Sequence, residues 1–255
     1  LISENRISAN QASNYRKVKK SANWKSVEKN WKPFQKDIKE SFEKPTEMKV
    51  FTYENAQMEK DTVMTPLEAI KYHRMFLQIG SMAVDPITGH VKAWVGGVNH
   101  KYFQFDHVTS LRQVGSTFKP LVYATALEQG TPPCDYIHNR LTIYTEYDDW
   151  KPENSDGNYG GVYSMEGGLS KSVNAVTVDL IMRSGIDSVK YLAEQLGVTS
   201  DIPAVPSIAL GTADISLYDM VKVYGTFANK GLKTTPKYIR RIETKTGEVL
   251  INLDE

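Results

Sequence analysis

A serine hydroxyl becomes a useful nucleophile only when a neighbouring group takes its proton. Ser116-Thr117-Phe118-Lys119 offers such a pair. Three residues of helix put Lys119 on the same face as Ser116, one turn up. A lysine accepts a proton only if its pKa is lowered, which burial and the positive end of a helix dipole both do. Pro120 is excluded from a helix interior, so the helix begins near Ser116 and ends before Gly130. That start leaves the Ser116 backbone N–H as an unpaired first-turn donor for a developing oxyanion. Gly115 lets a substrate approach the backbone closely. Ser-x-x-Lys also occurs at Ser26/Lys29 and Ser41/Lys44, with no Gly before, no Pro after and charged surroundings. For the bare pattern, an inert helix turn is the stronger reading. The Gly-Ser-x-x-Lys-Pro context ahead of an apolar helix is what distinguishes Ser116.

The second candidate is Ser172-Val173-Asn174. Residues two apart do not share a helix face, so both side chains enter one cleft only where the backbone is extended or turning. A hydroxyl there suits proton relay and an amide suits binding a peptide group. An ordinary helix cap is the competing reading, since Ser and Asn both favour that position. Ser-x-Asn recurs at Ser3/Asn5, Ser8/Asn10 and Ser21/Asn23.

The elements that must position these residues are legible in outline. Trp24, Trp31, Phe34, Ile38 and Phe42 fall on one helical face within a Lys-rich N-terminal segment, which reads as a helical linker. Met48–Tyr53 alternates as a strand. Thr65, Pro66 and Glu68 predict a capped helix running through Ile70, Tyr72, Met75, Phe76 and Leu77 to Gly80. Ser81–Asp85 and Val91–Gly97 form a hairpin around Pro86–Gly89. Helical patterns follow Asn174, span Asp187–Leu196 and begin again at Ser216, stopping at Gly231. Tyr238–Ile242 and Val249–Ile251 close a last hairpin around Lys245-Thr246-Gly247. Strand pairs flanking a helix-rich middle predict an α/β fold of the α+β type, an antiparallel sheet flanked by helices. Residues 1–80 read as linker and N-terminal segment, and 81–255 as one partial domain.

Composition excludes little. Hydrophobic residues are 40% and charged residues 24%, enough apolar content for a sizeable core. A net charge of +1 argues for neither nucleic acid nor a membrane surface. Basic residues outnumber acidic ones between Arg16 and Lys49, which fits an arm for anionic polymer or a solvated helical surface. Cys134, the single cysteine, precludes an intrachain disulfide and reads as a small packing or loop residue. His73, His90, His100, His107 and His138 lack metal-ligand spacing, and no cofactor or metal is expected. No apolar run reaches the roughly 18 residues of a membrane span. Both ends read as cut, so the chain is expected to be a piece of a longer protein.

Taken together, Arg112-Gln113-Val114-Gly115-Ser116-Thr117-Phe118-Lys119-Pro120, Gly160-Gly161 and Ser172-Val173-Asn174 resemble the transpeptidase domain of class A penicillin-binding proteins. Met82-Ala83-Val84-Asp85-Pro86-x-Thr88-Gly89 with Val95-Gly96-Gly97 resembles that domain's first hairpin. Ala209-Leu210-Gly211, Ser216-Leu217 and Tyr224-x-x-Phe227-Ala228-Asn229-x-Gly231 resemble its later helical part. The likeness covers residues 81–255. It implies that Ser116 attacks a D-Ala-D-Ala-type carbonyl, that Lys119 takes its proton, that Ser172 relays the proton to the leaving amine, and that Asn174 binds the substrate amide. Trp150 and the loop Asn154–Gly161 would border the cleft, and penicillins would acylate the same serine. Cell-wall stem peptides and β-lactams are the implied partners, with no nucleic acid. A glycosyltransferase domain and membrane anchor would precede Leu1, on the extracytoplasmic side of a bacterial membrane. The family's third motif, Lys-Thr-Gly on a strand, is not assigned to Lys245-Thr246-Gly247, whose place between two short strands reads as a turn. That motif is expected beyond Glu255, which would leave this chain with little or no activity alone. The alternatives are a D,D-carboxypeptidase, a serine β-lactamase, and a β-lactam-sensing or wall-binding module that never turns over.

Overall fold

The computed structural model describes residue 17 and residues 20–253. Arg16, the Ser3/Asn5 and Ser8/Asn10 pairs and the two chain ends lie outside the described residues. The chain divides into two units, Leu1–Leu77 and Gln78–Glu255.

In the first unit, α1 spans Ala22–Glu43 and starts where the Ser21 hydroxyl accepts the Trp24 N–H at 3.2 Å. Val27, Trp31, Phe34, Ile38 and Phe42 are exposed along it. Strands β1 (Thr46–Phe51) and β2 (Glu59–Met64) pair antiparallel, Thr46 facing Met64. Helix α2 (Pro66–Arg74) carries the reciprocal cap its sequence calls for. The Thr65 hydroxyl accepts the Glu68 N–H at 3.1 Å, and the Glu68 carboxylate accepts the Thr65 N–H at 2.8 Å. The expected continuation of this helix to Gly80 does not occur. Phe76 closes an aromatic cluster with Phe51 (4.9 Å) and Tyr72 (5.1 Å). Met75 and Leu77 bury almost nothing, so the packing that sustains a short helix ends there.

In the second unit, β3 (Ser81–Val84) and β4 (Val91–Val95) form the expected hairpin, with the Asp85 carboxylate accepting the Ile87 and Thr88 N–H groups in its turn. Strand β5 (Leu111–Gln113) pairs with β8 (Asp214–Ser216), and β6 (Tyr136–His138) with β7 (Val162–Ser164). Strands β9 (Arg241–Glu243) and β10 (Val249–Asn252) make the last hairpin. Among the described residues the strands form five separate two-stranded antiparallel ladders. Strand β9 begins at Arg241, three residues later than its sequence pattern, and residues shortly before Tyr238 brace the first hairpin. Val91 N–H donates to Lys237 O, and the Thr234 hydroxyl to Pro86 O.

Helices fill the centre. Helix α3 (Lys119–Glu128) buries Leu121, Val122, Tyr123, Thr125 and Ala126, so it is enclosed up to its last turn, where Leu127 and Glu128 are exposed. Around it lie α4 (Met165–Ser170), α5 (Asn174–Ser184), α6 (Ile186–Gln195) and α7 (Leu217–Ala228). Val176, Val178, Leu180 and Ile181 of α5, Val189 and Ala193 of α6, and Val223 of α7 join Phe118 and Leu121 in one core. Leu180 is fully buried there. Leu180→Ala is expected to lower the unfolding free energy by about 2–5 kcal/mol, read as a shift in urea midpoint with unchanged slope.

Candidate active site

The chain enters the site through Gly115, which is left-handed at φ +56. Residues Gly115–Phe118 form one turn of 3-10 helix that runs directly into α3, with Pro120 in the first α-helical turn. In a 3-10 turn, residues i and i+3 eclipse, which sets Lys119 over Ser116 more directly than an α-helix would. Ser116 is exposed, whereas Phe118 and Lys119 are buried. The space in front of Gly115 is open, with nothing within 4 Å of where a side chain would begin.

Lys119 is the unusual residue. Its side chain is 1% exposed, and its Nζ reaches across to the segment between α4 and α5. Nζ donates to Ser172 O at 2.6 Å, to Ser172 Oγ at 3.0 Å and to Asn174 Oδ1 at 2.6 Å. These three bonds occupy all three donors of an ammonium, and none goes to Ser116. The acceptors are neutral, so they soften the desolvation cost without cancelling it. Burial therefore dominates and lowers the Lys119 pKa to about 8.

Ser172 and Asn174 reach one point because the backbone turns sharply between them. Ser172 is left-handed at φ +54, an arrangement costing about 1–3 kcal/mol for a residue with a side chain. Val173 is extended, and Asn174 opens α5. The helix-cap alternative does not describe this segment, since Val173 occupies the cap position and no side chain there caps the helix. The Asn174 amide instead accepts from Lys119 and donates to Glu153 O at 2.8 Å.

The sequence reading put Asn154 in a loop bordering the cleft, and the bonds that Asn154 and Asn139 make there escaped it. Asn154 is buried, accepts the Ala175 N–H at 3.0 Å, and donates to Asn139 Oδ1 at 2.7 Å and Asn158 O at 2.8 Å. It thereby fixes the start of α5, next to Asn174. Asn139 in turn pairs through its backbone with Gly160 and Gly161. The signal was the pair Asn154 and Asn158 in a loop that the sequence placed only at the cleft edge. Asn154, Ser155, Asp156 and Asn158 line a cavity of about 190 Å³ shared with Lys171 and Ser172. Trp150 has a different setting from the cleft border expected of it. It lies against Tyr144 at 5.8 Å, joined by a backbone bond from Tyr144 N–H, and packs on the core. Lys245-Thr246-Gly247 sits in the exposed turn between β9 and β10, with Gly247 N–H donating to Thr244 O. Among the described residues no helix is long and apolar enough to cross a membrane, and no three His, Cys, Asp or Glu side chains converge as metal ligands would.

Comparison with known proteins agrees with this geometry. The family described as the penicillin-binding protein middle domain matches residues 4–77, and that described as the penicillin binding protein transpeptidase domain matches residues 79–252. Penicillin-binding protein 1A of Rickettsia conorii is 31% identical over 198 residues, covering 74% of this chain and 25% of that protein. Penicillin-binding protein 2D of Bacillus subtilis is 34% identical over 182 residues, covering 68% and 26%. The crystal structure of penicillin-binding protein 1A from Haemophilus influenzae superposes with a TM-score of 0.65 at 29% identity, over 69% of this chain and 27% of that one. The chain thus spans about a quarter of the length of the curated relatives it matches. The two family matches together span nearly the whole of this sequence, the second of them containing Ser116, Lys119, Ser172 and Asn174, and the chain belongs to the penicillin-binding protein family.

Proposed function

We propose that this chain carries serine acyl-transfer chemistry of a peptidoglycan D,D-transpeptidase, with residues 81–255 as part of the transpeptidase domain and 1–80 as a linker and N-terminal segment. The observation that carries the reading is the buried Lys119 amine, shared between Ser172 and Asn174 and shifted to a pKa of about 8. A neutral amine has two N–H donors and a lone pair. It keeps its bonds to Ser172 O and Asn174 Oδ1, which accept only, and releases the longer one to Ser172 Oγ, a hydroxyl able to donate in its turn. The lone pair then accepts the Ser116 proton as Ser116 Oγ attacks the carbonyl carbon of a D-Ala-D-Ala-type peptide. As the C–N bond breaks, the proton passes from Lys119 through Ser172 Oγ to the leaving amine nitrogen. The acyl group stays on Ser116 until an acceptor amine takes it and returns the hydroxyl. The exposed Ser116, with its backbone N–H at the start of the turn, supplies an oxyanion donor. Gly115 leaves room for the substrate, and Asn174 has one amide hydrogen left for a substrate carbonyl.

Cell-wall stem peptides are the proposed substrates and β-lactams the covalent inhibitors. The setting is the extracytoplasmic face of a bacterial membrane, in a protein that also bears an anchor and a glycosyltransferase domain. No cofactor takes part.

Two measurements test this. Prolonged incubation with millimolar fluorescent penicillin is expected to give one covalent adduct on the peptide containing Ser116, and none in Ser116→Ala; wild-type chain without adduct, or adduct surviving the substitution, defeats the proposal. The acylation rate is also expected to depend on pH in one direction. Protonated Lys119 has no lone pair, so its competent fraction falls about tenfold per pH unit below its pKa. The rate should therefore climb from about pH 6 and level off above about 8, where the folded amine loses its charge. A profile that is flat across that span removes Lys119 as the proton acceptor.

A further inference from the structure

Two stretches singled out in the sequence, Ala209-Leu210-Gly211 and Tyr224-x-x-Phe227, take no part in the chemistry above. We propose that Gly211 and Tyr224 are positioning residues that clamp the backbone on either side of Ser116. The consequence for catalysis rests on the acyl-enzyme reading; the clamp itself does not.

The N-terminal jaw is backbone against backbone. A 3-10 turn, Pro206–Leu210, ends at Gly211 with φ +76. Gly115 N–H donates to Gly211 O at 3.0 Å, and Val114 N–H to Ala213 O at 3.4 Å. The contact continues the β5–β8 ladder, in which Gln113 faces Asp214. Two left-handed glycines therefore lie against each other. A methyl group on Gly211 would overlap the carbonyl and Cα of Gly115, so no other residue fits without moving the strand that leads into Ser116. Gly115 needs its glycine for conformation, since space in front of it is open; Gly211 needs its own for conformation and for contact.

The C-terminal jaw is a side chain. From the second turn of α7, the Tyr224 hydroxyl donates to Thr117 O at 3.0 Å. The Tyr224 ring stands edge-on to Phe227 at 6.2 Å and lines, with Thr117, Val114 and Met220, a cavity of about 460 Å³. The Thr117 hydroxyl closes the turn internally by donating to Val114 O at 2.6 Å. A 3-10 turn has poorer hydrogen-bond geometry than an α-helix and gains from being held from outside. Acyl transfer makes that holding matter, because misplacing a reacting atom by about 1 Å costs on the order of 100-fold in rate.

Tyr224→Phe tests the clamp, since it keeps the ring packing and removes only the hydroxyl. Peptide-resolved hydrogen exchange on the whole chain is expected to show amides of residues 114–119 exchanging about fivefold faster, with peptides of α5 unchanged. The acylation rate constant at saturating penicillin should fall about tenfold while the half-saturating concentration stays as it was. No change at 114–119, or a uniform acceleration across the second unit, overturns the proposal. Gly211→Ala should lower acylation more than 100-fold, and acylation at the wild-type rate also overturns it; where that variant does not fold, Tyr224→Phe decides. If wild-type Ser116 never acylates yet residues 114–119 respond to Tyr224→Phe, the transpeptidase reading fails and the clamp stands.

Discussion

The second unit is organised around an amine that has been taken out of water. Lys119 is as buried as the leucines beside it, and removing a charged ammonium from solvent is among the costlier acts a fold performs. A carboxylate partner would offset that cost but would hold the proton in place. The structure supplies three neutral oxygens instead, enough to orient the nitrogen and too weak to restore its ordinary pKa. The sign of the resulting linkage is definite. Between a pKa of about 8 folded and an ordinary value of 10.5, the unfolded chain binds more protons, so the penalty on folding is full below about pH 8 and fades as pH rises through that window.

Other features follow from holding that nitrogen. Ser172 must present both its carbonyl and its hydroxyl to one point, which an ordinary extended or helical residue does not do; the left-handed backbone does it at the expense of local strain. Strain persists only where the surroundings over-determine it. Here α4 and α5 end and begin on either side, Asn154 fixes the first turn of α5 through Ala175, and Glu153 O fixes the Asn174 amide. Asn139 completes the set by holding Asn154 and, through its backbone, the Gly160-Gly161 end of the loop. Polar groups in this region are thus spent on one another, as burial requires.

What was legible in the sequence was local. The reciprocal Thr65–Glu68 cap, the Ser216 cap on α7 and the Asp85 turn each involve partners two or three residues apart, so residue type and spacing specify them. The Ser-x-x-Lys and Ser-x-Asn pairs were legible for the same reason. What escaped was non-local. The continuation of α2 past Arg74 looked helical by periodicity, but Met75 and Leu77 of that stretch stay in solvent. Trp150, an obvious aromatic at a cleft edge, is turned toward Tyr144 and the core, while the smaller Asn154 and Asn158 line the cavity beside Ser172. Gly211 gave no hint that it would meet Gly115, nearly one hundred residues earlier, because a glycine reads as a turn unless its neighbour in space is known.

The three occurrences of Ser-x-x-Lys separate spacing from environment. Ser26/Lys29 lies on α1 with both side chains in solvent, and Ser41/Lys44 lies at the end of that helix, also exposed, with the Ser41 hydroxyl turned back onto Ile38 O. Both have the helical spacing that brings a hydroxyl and an amine to one face. Neither has an enclosed helix to follow, so both side chains remain in solvent. After Ser116 the helix from Lys119 buries every residue but Pro120 and Ala124 as far as Ala126, and the apolar shell that encloses it encloses Lys119 too. Pro120 and the left-handed Gly115 add the rest by forcing the chain to begin that helix abruptly, leaving Ser116 outside as Lys119 goes in. On the proposed acyl-transfer reading, the reactivity of the pair is a property of the core boundary passing between residues 116 and 119, and the motif is informative because its flanks report where that boundary falls.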